Sequence, residues 1–175
     1  MMKRIGLLSL LLLLGSNALA CDETCKREQA MAKHGVSFPS YLTADFCKTT
    51  STDFLLRDTK SLEKYRSGHL LSGHKGGMNN IRTMLEQRKE WLAECDEYLR
   101  LTEQGRVFRN QQTTETIFAS MDRVSKELND LIYNGDRSVT VTSGIDIAEQ
   151  HFDTLFDLLE RHKTDLQLRG QLVIR

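Results

Sequence analysis

The sequence contains a single proline, Pro39, and no large excess of charge of either sign. Because proline interrupts helices, its scarcity permits long helical segments. After residue 20, no apolar run approaches the roughly 20 residues that a membrane-spanning helix requires, so we expect no transmembrane segment in the rest of the chain. Basic and acidic residues number 24 each, which excludes the strongly basic footprint of a nucleic-acid-binding protein.

The sequence also lacks the short motifs that mark common catalytic and cofactor sites. The haem-attachment pattern C-x-x-C-H, the zinc-protease pattern H-E-x-x-H and the nucleophile elbow G-x-S-x-G are all absent. None of the five histidines follows a glutamate by three positions, which excludes the usual di-iron carboxylate bundle. We therefore expect no cofactor and favour a non-catalytic protein, with an enzyme of unfamiliar type as an alternative.

Residues 1–20 have the organisation of a secretory signal peptide. Lys3 and Arg4 form a positive start, residues 5–14 are an apolar stretch, and the sequence Ala-Leu-Ala at 18–20 fits an A-x-A cleavage site. Ten apolar residues are too few to cross a bilayer as a helix. The sequence thus predicts an exported protein, periplasmic or secreted, whose mature part is a single domain of residues 21–175.

Cys21 directly follows the predicted cleavage site, as the acylated cysteine does in a bacterial lipoprotein. Ala18 and Leu19 fit a lipoprotein signal poorly, whereas they fit the A-x-A pattern. Lipidation of Cys21 would also leave an odd number of thiols. We favour a protein without a lipid anchor and keep the anchored lipoprotein as the alternative; a membrane would be a partner only in that case.

The chain contains four cysteines, an even number that predicts two disulfides formed in an oxidising compartment. Cys25 and Cys47 are equidistant from the turn near residue 36, and Cys47 and Cys95 are equidistant from the loop near residue 71. With Cys21 and Cys25 placed on successive turns of one helix, we expect the pairs Cys25–Cys47 and Cys21–Cys95. If Cys21 is acylated, a single bridge, Cys47–Cys95 or Cys25–Cys47, is expected. A redox role is disfavoured because the spacing is C-x-x-x-C.

Apolar residues recur at three- and four-residue steps along most of the chain, which predicts helices. The clearest stripe lies at 117–132, where Asn110 or Thr113 is positioned to cap the start of the helix and Gly135 to end it. We expect an all-α, up-down antiparallel bundle tied by disulfides. Its four main helices and a short N-terminal helix are predicted near 22–33, 40–66, 78–104, 117–132 and 143–170.

Two local features of the C-terminal region carry separate expectations. Ser143 and Asp146 resemble a capping box, which predicts that the last helix starts there and continues to Gly170. Residues 139–141 and 172–174 have the β-branched or apolar character of short strands. These two segments are too short to define the fold.

The segment 67–77 is rich in glycine and contains His69, His74 and Lys75. It resembles a phosphate-binding loop only superficially, because the lysine is displaced, no serine or threonine follows it and no strand precedes it. Two imidazoles five residues apart are candidates for binding Zn²⁺ or Cu²⁺. The simpler interpretation is a connecting loop with solvated histidines, because two ligands do not complete a metal site.

Three polar or aromatic residues on the apolar stripes need an explanation. His162 is expected to be an imidazole at the edge of a stripe with a satisfied hydrogen bond, or alternatively a pH-sensing residue. Arg88 is expected to extend to solvent or to pair with Asp53, which lies near its level in a helical hairpin. Trp91 is expected in the core.

By elimination, the favoured function is that of an envelope accessory protein that binds another protein through a face of the bundle or the 67–77 loop. The alternative is a periplasmic protein that binds a small ligand or metal, either with the loop histidines or in a pocket between helices.

Overall fold

A computed structural model describes residues 21–134 and 140–172, and its regular elements are all helical. A π-helical segment, Phe54–Asp58, joins the second and third helices without a break, and no strand occurs in the two described ranges. The all-α prediction is confirmed. The predicted signal peptide lies outside the described residues. The helices are α1 Glu23–His34, α2 Ala44–Asp53, α3 Thr59–His69, α4 Lys75–Leu101, α5 Gln111–Tyr133 and α6 Thr140–Leu168.

Successive long helices pack against each other in antiparallel pairs. Cys47 on α2 is bonded to Cys95 on α4, and Asp58, at the end of the π-helical segment that continues α2, forms an ion pair with Arg88 on α4. From the first contact to the second, the residue number rises on one side and falls on the other, so the two helices are antiparallel. Lys89 pairs with Asp122 between α4 and α5, and Glu127 lies 3.7 Å from His151 between α5 and α6. The structure is a disulfide-tied helical bundle.

The apolar stripes meet in one continuous core. The stripe of α5 is fully or almost fully buried, as the periodicity predicts, and α4 and α6 contribute the facing residues. Packing of such amphipathic faces supplies most of the stability of helices in a bundle. The largest side chains with less than 2% exposure are Tyr98, Phe54, Phe152, Leu62, Leu70, Ile81, Leu85, Leu92, Ile117, Met121, Leu128 and Leu155.

The ends of the helices follow local sequence signals in most cases. Asn110 caps α5, its side-chain oxygen accepting a 2.9 Å hydrogen bond from the amide of Thr113. Gly170 follows the end of α6 with φ of 66°, a conformation that favours glycine. Ser143, however, lies inside α6, so the predicted capping box is wrong: the helix already includes Thr140. Gly135, the predicted end of α5, lies outside the described residues.

The predicted disulfide pairing is wrong, although all four cysteines form disulfides. The bridges are Cys21–Cys25 and Cys47–Cys95, with Cα–Cα distances of 5.4 and 5.2 Å. The helix α1 begins at Glu23 with Asp22 as its N-cap, so Cys21 precedes the helix and its side chain reaches Cys25. The error came from placing both cysteines on successive helical turns.

Polar contacts, and not a disulfide, hold α1 against the bundle. The Oε1 atom of Glu23 accepts hydrogen bonds from the hydroxyl of Tyr98 at 2.7 Å and from the amide of Ala44 at 2.5 Å. The guanidinium of Arg27 donates to the carbonyl oxygens of Leu42, at 3.1 Å, of Pro39, at 2.6 Å, and of Phe38. These bonds satisfy groups that would otherwise be costly to bury.

The short strand-like segments are not strands where they are described. Thr140 and Val141 belong to α6, and Leu172 is in irregular structure, while 139 and 173–174 lie outside the described residues. The long, periodic apolar stripe of α6 extends the helix over the β-branched residues that locally favour a strand. None of the described helices is apolar over a long enough stretch to span a membrane.

Candidate functional site

His69 and His74 lie side by side, with ring centroids 5.5 Å apart. The Nδ1 atom of His74 accepts a 2.9 Å hydrogen bond from the amide of Gly77 and so caps α4. The His69 ring stacks on Tyr65 and fills the space beside Gly77, where an added Cβ would lie 2.2 Å from its Nδ1 atom. The predicted 67–77 loop is therefore shorter than expected, residues 70–74: His69 ends α3 and His74 caps α4, and neither is simply solvated. Two consecutive glycines allow the close approach.

Metal binding by His69 and His74 stays a prediction. The described part of the chain contains no group of three or more His, Cys, Asp or Glu side chains arranged to hold a metal ion. The capping bond occupies one nitrogen of His74, which leaves Nε2 available. Two imidazoles without a third protein ligand give only a weak chelate, since structural zinc sites use four ligands.

The sulfur of Cys21, the candidate lipidation site, is bonded to Cys25 in the structure. A sulfur in a disulfide cannot simultaneously form the thioether of a lipid anchor. The bridge lies at the partly exposed start of α1, where Gln29 contacts the Cys25 sulfur at 3.4 Å. Cys47 and Cys95, in contrast, are fully buried.

Arg88 pairs with Asp58 and not with Asp53, its Nε atom lying 2.6 Å from the Asp58 carboxylate. Asp53 instead pairs with Arg57, four residues further along the same continuous helical segment. Asp58 is the last residue of the π-helical segment and lies four residues from both Phe54 and Leu62, which are buried on the same side. Burial raises the pKa of Asp58 even though Arg88 and Arg57 act to lower it.

Trp91 is not in the core, since 47% of it is exposed. The guanidinium of Arg88 lies over its ring, 4.8 Å from the centroid, so the indole covers the buried ion pair. Tyr41, 53% exposed, contacts Glu94 one turn further along α4. We call the exposed Trp91 and Tyr41, together with the partly buried Arg88 under the indole, the aromatic patch.

His162 is buried, and neither ring nitrogen has a hydrogen-bond partner among the described residues, so the predicted satisfied hydrogen bond is not found. Its ring meets Phe108 edge-on at 5.0 Å. Burial lowers the pKa of His162, an effect that Arg109 and Arg169 reinforce and Asp165 opposes. A cavity of about 250 Å³ lies against this ring.

A larger cavity, of about 530 Å³, opens between α2, the connection from α4 to α5, and the end of α6. We call it the basic cleft. Its apolar lining residues are mostly buried, and its basic residues come from all three parts of the chain. The apolar side chains are Leu55, Leu99, Val107, Phe108, Leu166 and Leu172, and the basic ones are Lys48, Arg106, Arg109 and Arg169.

The connection between α4 and α5 is held in place by Asp96. Its carboxylate accepts hydrogen bonds from the Arg106 side chain at 2.9 Å and from the Val107 amide at 3.1 Å. Gly105, with φ of 112°, makes the turn that a residue with a side chain would adopt only with strain. This turn directs Val107 and Phe108 inward, where they form the apolar wall of the cleft.

Sequence reasoning missed the basic cleft because its residues are far apart in the chain. One signal was present: the apolar pair Val107-Phe108 follows Gly105 in a segment outside the predicted helices, flanked by Arg106 and Arg109. An apolar pair between two arginines in a connecting segment indicates that the segment packs on the bundle. That this segment lies beside Lys48 and Arg169 is visible only in the folded structure.

Comparison of the chain with protein-family models, with curated proteins and with solved structures gives no match.

Proposed function

We propose that this chain is an exported, non-catalytic helical protein that binds a small apolar molecule in the basic cleft. The observation that carries the proposal is the cleft itself. Its volume of about 530 Å³ lies within the range of ligand pockets in proteins, about 300–1,000 Å³. Like such pockets, it combines an apolar surface with polar groups.

Export is supported by the predicted signal peptide and by the two disulfides, which are typical of oxidising compartments. We favour release over a lipid anchor because the Cys21 sulfur is in a disulfide.

Binding is tested with the oxidised protein of residues 21–175 and a neutral apolar fluorescent probe, N-phenyl-1-naphthylamine. We expect saturable enhancement of its fluorescence. Thr52 lines the cleft, so Thr52→Trp should fill it and weaken probe binding at least about tenfold. Thr49 is exposed on the same helix but does not line the cleft, which makes Thr49→Trp the matched control.

Thermal unfolding followed by circular dichroism verifies that both variants fold. Absence of saturable binding to wild type, or equal binding by Thr52→Trp and wild type, would refute the proposal.

Protein binding through the aromatic patch is the second candidate function. Trp and Tyr are among the residues most enriched in interaction hot spots, and the patch exposes one of each. Trp91→Ala together with Tyr41→Ala should abolish retention of a partner from envelope extract, whereas Tyr133→Ala, at a residue that is 67% exposed elsewhere, should not. A partner retained equally by both variants would exclude the patch.

A further inference from the structure

Among the residues that the structure describes, four basic ones line the basic cleft and no aspartate or glutamate does. This imbalance stands out in a chain whose basic and acidic residues are equal in number. The four cations come from α2, from the connection between α4 and α5, and from the end of α6, so folding brings them together. A neutral ligand would not require such an arrangement.

Nearby carboxylates neutralise only part of this charge. Arg106 is paired with the buried Asp96, whose carboxylate lies 2.6 Å from its Nη2 atom. Arg109 and Arg169 share one carboxylate, that of Asp165, at 3.4 Å each. Lys48 forms no ion pair with any residue in the described ranges. Within the described ranges, three cations therefore face a single carboxylate.

The charge and the apolar surface occupy different depths of the cleft. The side chains of Arg109 and Arg169 are 48% and 42% exposed, so their charged ends reach solvent. Leu55, Val107 and Phe108 are 4–6% exposed and lie deeper. A ligand that fits both regions has an apolar body and an anionic end group.

We infer that the basic cleft binds a single-chain anionic amphiphile, with its acyl chain against the apolar floor and its carboxylate or phosphate among Lys48, Arg109 and Arg169. This inference rests on the proposed function, since it names the class of ligand for the same cleft. Burial of the chain supplies affinity, and the partly neutralised cations supply the preference for an anion.

The test compares three ligands with twelve-carbon chains by displacement of the neutral probe: dodecanoate, methyl dodecanoate and dodecyltrimethylammonium. The two ions are used below their micellar concentrations and the ester below its solubility limit. We expect dodecanoate to bind at least about tenfold more tightly than the neutral ester, and the cation to bind most weakly. Rising salt should weaken dodecanoate binding and leave the ester unchanged.

The variant Lys48→Gln with Arg109→Gln should lose about tenfold in dodecanoate affinity and retain affinity for the ester. Arg123→Gln with Lys126→Gln removes two charges from α5, away from the cleft, and should change neither. Because Lys48 is exposed, Lys48→Gln alone should leave the fold intact. It should also lower the affinity for dodecanoate.

The possible results separate the two proposals. Equal affinities for the three ligands would overturn the inference while the cleft remains a binding site. Failure of wild type to bind the probe would overturn the proposed function itself. Co-sedimentation with anionic phospholipid vesicles, lost in Lys48→Gln with Arg109→Gln and not inhibited by dodecanoate, would also overturn the inference, since it would assign the cations to a membrane surface.

Discussion

The Cys47–Cys95 disulfide joins residues 48 positions apart and is fully buried, whereas Cys21–Cys25 spans four positions at the partly exposed start of α1. The first bridge fixes the α2–α4 hairpin, which also forms part of the basic cleft. The second only closes the chain next to an N-cap, and the attachment of α1 depends on Glu23 and Arg27. The long helices are thus held together by apolar packing and the Cys47–Cys95 disulfide, whereas α1 is held by polar contacts.

The largest expected effect is from removal of the buried bridge. A disulfide that closes a loop of this length lowers the entropy of the unfolded chain, which stabilises the folded protein by about 4 kcal/mol in the chain-entropy description. Cys47→Ala with Cys95→Ala should therefore lower the free energy of unfolding by about that amount, measured by urea denaturation. A loss no greater than that of Cys21→Ala with Cys25→Ala would contradict the contrast between the two bridges.

The next largest effect is expected at Glu23. Its removal leaves the buried Tyr98 hydroxyl and the Ala44 amide without their acceptor, at a cost of about 2 kcal/mol. In Glu23→Ala, the amides of α1 should exchange hydrogen faster while those of α5 keep their protection, measured by hydrogen exchange with mass spectrometry. Thr24→Ala, at an exposed neighbour, is the control. Uniform loss of protection in α1 and α5 would show that α1 is not separately attached.

The N-terminal bridge should contribute less. Its short loop gives at most about 2 kcal/mol in the same chain-entropy description. Because Cys21 and Cys25 are partly exposed and the other pair is fully buried, a low concentration of dithiothreitol should reduce Cys21–Cys25 first. Alkylation of thiols followed by mass spectrometry reports the order, and simultaneous reduction of both bridges would contradict it.

The smallest expected effect is a pH dependence from His162. Burial lowers its pKa in the folded state below the ordinary value of 6.5, so the unfolded chain binds the proton more readily. Stability should be unaffected by this group above pH 6.5 and fall as the pH decreases below it. In His162→Phe, which suits the contact with Phe108, this part of the pH dependence should disappear. An identical pH profile of unfolding in wild type and variant would refute the assignment.

The sequence predicted the parts of the fold that depend on local periodicity. The stripe Ile117, Met121, Val124 and Leu128 is buried as expected, because a long amphipathic helix has one favourable way to bury its face. The equal distances of Cys47 and Cys95 from the loop placed them at one level, where they are bonded. The prediction of Cys25–Cys47 was wrong because Cys21 was placed inside the first helix, whereas α1 begins at Glu23 and Cys21 precedes it.

Features that depend on which side chain an arginine reaches, or on three separate parts of the chain, were not predictable. Arg88 pairs with Asp58 and not with Asp53, and Trp91 was left to cover the pair from outside. The basic cleft needs the turn at Gly105 as well as the packing of α2 against the end of α6. Periodicity along one helix carries no information on such a cavity.

Non-reducing tryptic mapping of the protein purified from cells reports both the disulfide pairing and the start of the mature chain. We predict that the peptide 34–48, with Cys47, is linked to the peptide 90–100, with Cys95, and that the peptide 21–26 is two hydrogens lighter than its reduced form, with a free amino terminus at Cys21. A link from 21–26 to either of the other peptides, or a lipid on Cys21, would show that Cys21–Cys25 and Cys47–Cys95 are not the bridges of the native protein.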